Sequence, residues 1–474
     1  MKDNNDKPVM SPALPRRDFL QRLGLGFGAI SLAGMMPEVL GPAGATAALS
    51  SMSPLSPKQP QFPAKAKRVL SIFAQGGPSH VDTWDPKPAL ARQDGNPVGE
   101  GSGVAWGSPF KFNKMGKSGI EVSEVFPNLG QHIDDMCVIR GMYIDAPVHE
   151  FATVMMNTGS GRLVKPSVGS WVTYGLGSEN ENLPGFIVLA PGSPLGGAQN
   201  WRSAFLPGAY QGTHINTRYK EIEKLIENIR NAYTSREEQR NQLDLLARVN
   251  TLHSQRLQKD AQLEARIQSF ELAYQMQMEA TDAFDISKEP ESVLAAYNAD
   301  TEQGRQMLIA RRLLERGVRM VQVWHNGWDH HQNLEKSIRA KAAECDKPIA
   351  ALMKDLKERG LLSETLVVWG GEFGRTPTRQ LPNATSKFEV PGRDHNNRGF
   401  TYWLAGGGVK GGITYGETDE FGQASVANKV HVHDLHATIL HLLGFDHEKL
   451  TYRYNGRNFR LTDVYGNVVK DILA

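Results

Sequence analysis

The stretch HNGWDHHQN, residues 325–333, places three histidines and one aspartate within a few positions. It directly follows VRMVQVW, an apolar, β-branched run that predicts a buried strand. Imidazole nitrogens and carboxylate oxygens are ligands that zinc, manganese and iron accept in proteins. Because side chains two positions apart on an extended chain share a face, we expect Asp329 and His331, rather than the adjacent His330, to bind one ion.

Ionisable side chains also lie at the ends of other predicted strands, immediately before the predicted strand at 400–405, and in one late segment. The segments concerned are QGGPSHVDTWDPKP, IDAPVHEF, WGGEFGRTP, GRDHNNRG and HVHDLHATILHLLG. Besides Asp329 and His331, their candidate functional residues are His80, Asp82, His149, Glu372, Arg375 and His395. Carboxylates and imidazoles gathered at one edge of a sheet predict a divalent metal site, for which zinc, manganese, iron and calcium all stay open.

Each of these groups also has a structural explanation when taken alone. An Asp–His pair in a loop often only caps a turn, and Glu372 can pair with Arg375. Asp434 can cap the helix that begins near Leu435, and His436 can lie in the core. The agreement of five strand ends, rather than any single pair, favours the metal site.

The chemistry expected of such a site is hydrolysis of a phosphate or sulfate ester. A metal ion polarises the ester and lowers the pKa of a nucleophile or of water. Arg375 or Arg162 would stabilise the anionic transition state. The nucleophile stays open between water and the hydroxyls of Thr153, Thr158 and Ser160, and the role of His149 stays open between ligand, acid and nucleophile.

Alternating strand and helix patterns indicate the fold class. Short apolar runs at 68–74, 136–141, 185–190, 318–324, 365–371 and 400–405 predict strands that are buried on both faces. Helical patterns precede two of these runs and end at Gly317 and Gly360, as expected for left-handed caps. The sequence therefore predicts an α/β domain with a mostly parallel sheet and a site beyond the carboxyl ends of its strands.

Residues from about 215 to 289 differ from the rest of the chain. No glycine or proline occurs between Gly212 and Pro290, and apolar residues recur at helical spacing. This pattern predicts a helical hairpin inserted into the α/β domain. Packing within the chain is the preferred explanation of its apolar stripes, and a homodimer seam is the alternative.

The first residues of the chain are typical of an export signal. Arg16 and Arg17 precede a weakly apolar, glycine-rich stretch and a small-residue cleavage site at 45–47. We expect residues 1–47 to be a twin-arginine signal peptide, residues 48–66 to be a linker, and residues 67–474 to be the domain. The mature protein is then periplasmic or otherwise exported, with no stable membrane span.

Composition narrows the classes of partner. The chain has 474 residues, 40% of them hydrophobic and 22% charged, with a formal net charge of +2. This balance gives no reason to expect nucleic acid or an anionic membrane as a partner. With only two cysteines, the chain has no disulfide framework and no cysteine-rich metal site.

Several long motifs in one order resemble a known family. GGPSHVDTWDPKP, FDISKEPESVLAAY, GWDHHQN, GGEFGRTP, DHNNRGFTYWLAGGGVKGG and HDLHATILHLLG, together with the export signal, resemble the bacterial exported domain-of-unknown-function family 1501, often described as sulfatase-like. The resemblance covers essentially the whole mature chain. It implies similarity to the alkaline phosphatase and sulfatase superfamily, whose fold is a three-layer α/β sandwich with metals at the carboxyl strand ends.

The resemblance also implies roles for particular residues. Asp329, His331 and His395 look like the ligands of one superfamily metal, whereas Glu372-Phe373 stands where an Asp-His pair is usual. Gln75-Gly76-Gly77 replaces the aspartate that ends the first strand, with His80 and Asp82 following as substitute ligands. The helix that usually begins with the nucleophile begins here with His149, and no sulfatase-type cysteine or serine is present.

Three functions remain open from the sequence. The first is an exported metal-dependent hydrolase of sulfate or phosphate esters, acting on a small molecule or a polysaccharide. The second is a catalytically degenerate member that binds an anion, a glycan or a protein. The third is a surface-assembly protein that associates through the helical insertion.

Overall fold

The structure is a computed structural model that describes residues 54–98, 103–226, 233–256, 270–271, 273–274, 276–277, 280–380 and 390–474. The predicted signal peptide, residues 1–47, lies outside these residues. None of the described helices is long and apolar enough to cross a membrane.

A nine-stranded sheet forms the centre of the domain. Its strands are β1 (Arg68–Gln75), β2 (Met136–Tyr143), β3 (Phe186–Ala190), β4 (Thr213–Asn216), β5 (Met320–Asn326), β6 (Thr365–Gly370), β7 (Phe400–Ala405), β8 (Ile413–Tyr415) and β9 (Val430–His431). They lie in the order β8-β2-β7-β6-β1-β5-β3-β4, with β9 also paired to β2. All six strands predicted from the sequence are present.

One strand runs against the others. β7 is antiparallel to both of its neighbours, β2 and β6, whereas the remaining pairings in the sheet are parallel. The beginning of β7 therefore lies at the same edge of the sheet as the carboxyl ends of the other strands.

Helices accompany the strands, and further helical residues lie at 280–284. The named helices are α1 (His80–Thr83), α2 (Pro88–Arg92), α3 (His149–Thr158), α4 (Val168–Leu176), α5 (Ile222–Leu225), α6 (Arg236–Arg256), α7 (Glu291–Ala296), α8 (Glu302–Glu315), α9 (Leu334–Glu358) and α10 (Val432–Leu442). Short 3-10 turns lie between several of them.

Alternate side chains of the strands enter two separate cores, as the period of a strand requires. Leu70 and Ile72 of β1 pack with residues of α8 and α9, such as Leu308 and Ile338. Val69 and Phe73, on the opposite face, pack with residues of α3, α4 and α10. Helices thus cover both faces of the sheet, which confirms the predicted three-layer α/β sandwich.

The helix and strand junctions follow local chemistry. Thr301 caps α8 by accepting a hydrogen bond from the backbone N–H of Gly304 at 3.1 Å. Gly360, just after α9, has a φ of +70°, which a glycine adopts without strain. This is the left-handed position that the sequence predicted before β6.

Two sequence predictions concern segments next to the domain core. Residues 54–66, the described part of the predicted linker, form backbone hydrogen bonds with the domain: Lys58 N–H donates to Leu176 O at 2.8 Å and Ala66 N–H to Leu442 O at 2.9 Å. β4 extends to Asn216, so the sheet continues into the residues where the insertion was predicted to begin.

The predicted helical insertion is described only in part. Within the described residues, α6, with 21 residues, belongs to a compact unit distinct from the α/β domain. Much of the second predicted helix falls outside the described residues. The hairpin and the homodimer seam stay predictions.

Candidate metal centre

Four side chains from three parts of the chain meet at one edge of the sheet. Asp329 and His331 follow β5, His149 is the first residue of α3, and His395 lies just before β7. His395 reaches this edge because β7 is antiparallel to its neighbours. The four residues are called the metal cluster below.

The oxygen Oδ1 of Asp329 lies at the centre of the cluster. It is 2.9 Å from Nε2 of His331, 3.2 Å from Nε2 of His149 and 3.6 Å from Nε2 of His395. The Nε2 atoms of His331 and His395 are themselves 2.9 Å apart. One potential ligand atom from each residue lies within 4.8 Å of all the others.

The second ring nitrogen of each histidine is held by a hydrogen-bond acceptor. Nδ1 of His149 lies 2.5 Å from Oε1 of Glu372, Nδ1 of His331 lies 2.7 Å from Oε1 of Gln380, and Nδ1 of His395 lies 3.1 Å from the carbonyl oxygen of Pro147. Because these partners accept, each Nδ1 donates. In the neutral imidazoles each Nε2 then carries a lone pair that faces the cluster.

Lone pairs that converge in this way fit a cation. Neutral imidazoles with bare Nε2 atoms cannot hydrogen bond to one another, and the buried Nε2 of His149 has no hydrogen-bond partner. A cation would be bound by three nitrogens and one carboxylate oxygen. Acceptors behind metal-bound histidines commonly orient them in this manner.

The ionisation of the cluster also favours a positive charge. Burial acts to raise the pKa of Asp329. The three histidines, when a proton occupies their Nε2 atoms, and the charge of Arg375 hold this pKa well below its usual range. Burial acts to lower the pKa of His149, but Asp329 and Glu372 raise it to about 9. The two carboxylates that favour a proton on His149 favour a divalent cation in its place.

Glu372 lies behind His149 rather than beside the other ligands. It is fully buried, and the backbone N–H of Gly76 donates to its Oε1 at 2.9 Å and its Oε2 at 3.1 Å. Gly76 has a φ of +114°, and a Cβ there would lie 2.4 Å from the backbone nitrogen of Asp329. The glycine turn after β1 thus allows Glu372 and Asp329 to approach each other.

Arg375 contacts the cluster from the protein interior. Its Nη2 lies 2.5 Å from Oδ1 of Asp329 and also donates to the carbonyl of Gly76. Its other nitrogens donate to the carbonyls of Gly77 at 3.0 Å and Arg393 at 3.2 Å. Burial lowers the pKa of this guanidinium. The geometry assigns Arg375 to holding Asp329, and its side chain is not exposed to solvent.

Two predicted ligands, His80 and Asp82, are not brought to the cluster. Asp82 accepts from Nε of Arg393 at 2.7 Å and from Oγ of Ser79 at 2.5 Å, and both charges of this ion pair are fully buried. Nε2 of His80 donates to the carbonyl of Gly422 at 2.8 Å. α1 directs both side chains toward neighbouring loops, where they stabilise the structure.

Other candidate residues also have structural roles. The hydroxyl of Thr158 donates to the carbonyl of Val154 at 2.8 Å, and no described hydroxyl forms a hydrogen bond to the metal cluster. Asp434 accepts from the backbone N–H of His431 at 2.9 Å in a capping box, and buried His436 donates to the carbonyl of Met156 at 2.8 Å. The core position of His436 is confirmed. Asp434 does help to cap the helix, but from its third position, because the helix begins at Val432 with His431 as the N-cap residue rather than near Leu435.

Some contributors to the site carry no signal in the sequence. Gln380 and Pro147 orient His331 and His395, but neither belongs to a motif with ligand spacing. The ring of Phe373 lies 4.7 Å from those of His149 and His395. The sequence shows that Phe373 stands where the resemblance leads one to expect a histidine. It does not show that the Phe373 ring lies against two of the candidate ligands.

Comparison with known proteins identifies the family. The model of the family described as "Protein of unknown function (DUF1501)" matches residues 66–473, and the chain belongs to this family. No curated protein matches the sequence.

Three solved structures are similar to this chain. The lipoteichoic acid synthase LtaP from Listeria monocytogenes is 11% identical over 84% of this chain and 75% of that chain, with a TM-score of 0.34. The alkaline phosphatase of the Antarctic bacterium TAB5 is 13% identical over 75% and 95%, with a TM-score of 0.30. PsFucS1 sulfatase from Pseudoalteromonas sp. is 10% identical over 86% and 73%, with a TM-score of 0.35.

Proposed function

We propose that the protein is an exported, divalent-metal-dependent hydrolase of sulfate or phosphate esters. The observation that carries this proposal is the convergence of three Nε2 atoms on the Asp329 carboxylate, each with its Nδ1 held by an acceptor. Small molecules and polysaccharides that bear such esters are the substrate class. Nucleic acid is not expected as a partner.

The residues of the chain would have two roles, binding the cation and positioning its carboxylate ligand. His149, Asp329, His331 and His395 would hold the cation, and Arg375 would keep the Asp329 carboxylate in place. When bound, the cation would polarise the ester and lower the pKa of water. A nitrogen-rich ligand set favours zinc, iron or manganese over calcium, which prefers oxygen ligands.

A second candidate is a member of the family that binds an anion, a glycan or a protein without turnover. The observation in its favour is that no described hydroxyl or thiol is hydrogen bonded to the cluster and that Arg375 is occupied by protein oxygens. The metal cluster would then serve to bind a ligand.

An ester panel separates the two candidates. Purified protein reconstituted with zinc, manganese or iron is tested on aryl sulfates, aryl phosphates, phosphodiesters and sulfated polysaccharides. We expect turnover in at least one class, with loss of at least a hundredfold in the Asp329→Ala/His395→Ala double variant. Metal-loaded, folded protein that binds these esters but turns none over supports the second candidate.

A matched control uses another Asp–His pair at the same edge. Asp145 and His431 are 3.1 Å apart but lie outside the metal cluster. Because they hold no cation in this account, the Asp145→Ala/His431→Ala variant keeps the wild-type turnover. Equal losses in both double variants would show that general damage, and not loss of the cluster, causes the effect.

A further inference from the structure

Exposed apolar side chains surround the outer face of α3. Phe151 is 51% exposed, Leu163 is 63% exposed and Val164 is 57% exposed. The loop that carries Leu163 packs on α3, since a Cβ on Gly161 would lie 2.7 Å from the carbonyl oxygen of Phe151. Large apolar side chains are normally exposed singly rather than in a group.

A second loop extends the same surface. A Cβ on Gly196 would lie 2.6 Å from Cγ2 of Val154, one turn of α3 beyond Phe151, and this places the partly exposed Leu195 at the edge of the group. Val154 also lines a cleft together with Leu163 and Val164. Phe151, Leu163, Val164 and Leu195 are called the α3 patch below.

Two arginines flank the α3 patch. Arg162 directly precedes Leu163, and Arg202 lines the cleft below Val164. Both are exposed, and neither is paired with a carboxylate in the part of the chain that the structure describes. Lys165 lines the same cleft but is already bound to Asp463 at 2.7 Å. The surface therefore combines free positive charge with exposed aliphatic and aromatic groups.

We propose that the α3 patch docks peripherally on a bilayer that contains anionic lipids. Leu163 and Val164, the most exposed members of the α3 patch, would enter the boundary between headgroups and acyl chains, as the apolar side of interfacial segments does. Arg162 and Arg202 would contact the lipid phosphates, because basic residues next to an apolar surface are attracted to anionic leaflets. This charge complementarity is the reason to choose a bilayer over a second copy of the chain.

The location of the α3 patch gives the docking a consequence. α3 has ten residues and begins at His149, so the helix extends roughly 15 Å from the metal cluster. Docking would hold the cluster within about one helix length of the lipid headgroups. Docking does not depend on the metal, and the composition of the chain alone gave no reason to expect an anionic membrane as a partner.

The test is sedimentation with vesicles of phosphatidylcholine alone or mixed with phosphatidylglycerol. The purified full chain should bind the mixed vesicles, with or without chelator, and bind phosphatidylcholine much less. Leu163→Ser/Val164→Ser and Arg162→Gln/Arg202→Gln should each weaken binding by about tenfold or more. The control variant Val426→Ser/Tyr454→Ser changes exposed apolar residues in strands of small hairpins and should bind as wild type does.

Several outcomes would overturn the proposal. They are absence of binding to mixed vesicles, equal binding to both compositions, and equal loss in the control variant. Light scattering provides a further check without lipid. If the wild type is a dimer and the Leu163→Ser/Val164→Ser variant is a monomer, the α3 patch binds a second copy of the chain. If both the wild type and this variant are monomers, the result agrees with a lipid partner.

Discussion

At the scale of single residues, the site depends on which nitrogen of each imidazole carries the proton. Glu372, Gln380 and Pro147 fix Nδ1 as the donor, which leaves the Nε2 atoms directed at Asp329. Residues behind the ligands thus decide whether the cluster can bind a cation.

The Glu372 carboxylate is the partner whose removal should have the clearest effect. Glu372→Gln removes the negative charge next to His149 and weakens the preference for an Nδ1–H donor, so we expect the affinity for zinc to fall by about tenfold or more. Competition with a chromogenic chelator measures the affinity. Folding is checked by circular dichroism.

Another histidine–glutamate pair, in which only the imidazole is buried, supplies the control. Oε2 of Glu344 lies 3.0 Å from Nε2 of His325, but neither residue belongs to the metal cluster. Zinc affinity in Glu344→Gln should therefore equal that of the wild type. A similar decrease in both variants would contradict the orienting role of Glu372.

Asp82 allows a test that separates a ligand from a structural residue. Asp82→Asn leaves the buried guanidinium of Arg393 without its ionic partner, so we expect the free energy of unfolding to fall by about 3 kcal/mol. The metal content per folded molecule should not change. Urea denaturation and elemental analysis of the same preparation measure both quantities, and metal loss without destabilisation would restore Asp82 as a ligand.

At the scale of helices and strands, the sequence predicted the buried strands, because short apolar runs bounded by glycine are typical of strands that are buried on both faces. It also predicted the ends of α8 and α9 at glycines. The antiparallel direction of β7 could not be predicted, because a strand's direction depends on its neighbours and not on its own pattern. That direction brings His395 to the cluster.

The errors in the predicted ligands have a similar cause, because a local sequence pattern does not show which remote residues a side chain will contact. Asp82, His80 and Glu372 follow strands as ligands do, and their residue types gave no means of excluding them. Their actual partners, such as Arg393 and the Gly76 N–H, come from remote parts of the chain. Only the folded arrangement shows which carboxylates remain available to a cation.

Helix α10 carries a pH-dependent contribution to stability. Burial lowers the pKa of His436 to about 3, whereas an imidazole in the unfolded chain titrates near 6.5. Below pH 6.5 the unfolded state therefore binds more protons than the folded state, and the contribution of His436 is lost as pH falls. Between pH 6.5 and 5 it should decrease by about 2 kcal/mol.

Urea denaturation of the wild type and of His436→Asn at several pH values isolates this effect. The variant lacks the titrating group, so its free energy of unfolding should depend less steeply on pH between 6.5 and 5. Parallel curves for the two proteins would show that His436 does not cause the decrease.

At the scale of the whole molecule, we propose export by the twin-arginine route, which accepts folded proteins and permits metal loading before transport. Changing Arg16 and Arg17 to lysine should retain the full-length chain in the cytoplasm. Cell fractionation of a bacterial host measures how much of the chain stays in the cytoplasm. A variant changed at Arg22, outside the twin arginines, is the control. Normal export of the Arg16→Lys/Arg17→Lys variant would contradict the predicted signal.

The most direct test of the central claim is the metal content of the purified protein, determined by elemental analysis beside the Asp329→Ala/His395→Ala and Asp145→Ala/His431→Ala variants. We expect about one equivalent of zinc, iron or manganese in the wild type and in the Asp145/His431 variant, and almost none in the Asp329/His395 variant. Wild-type protein that stays folded and takes up no divalent metal even after incubation with each ion would contradict the claim that the cluster binds a cation.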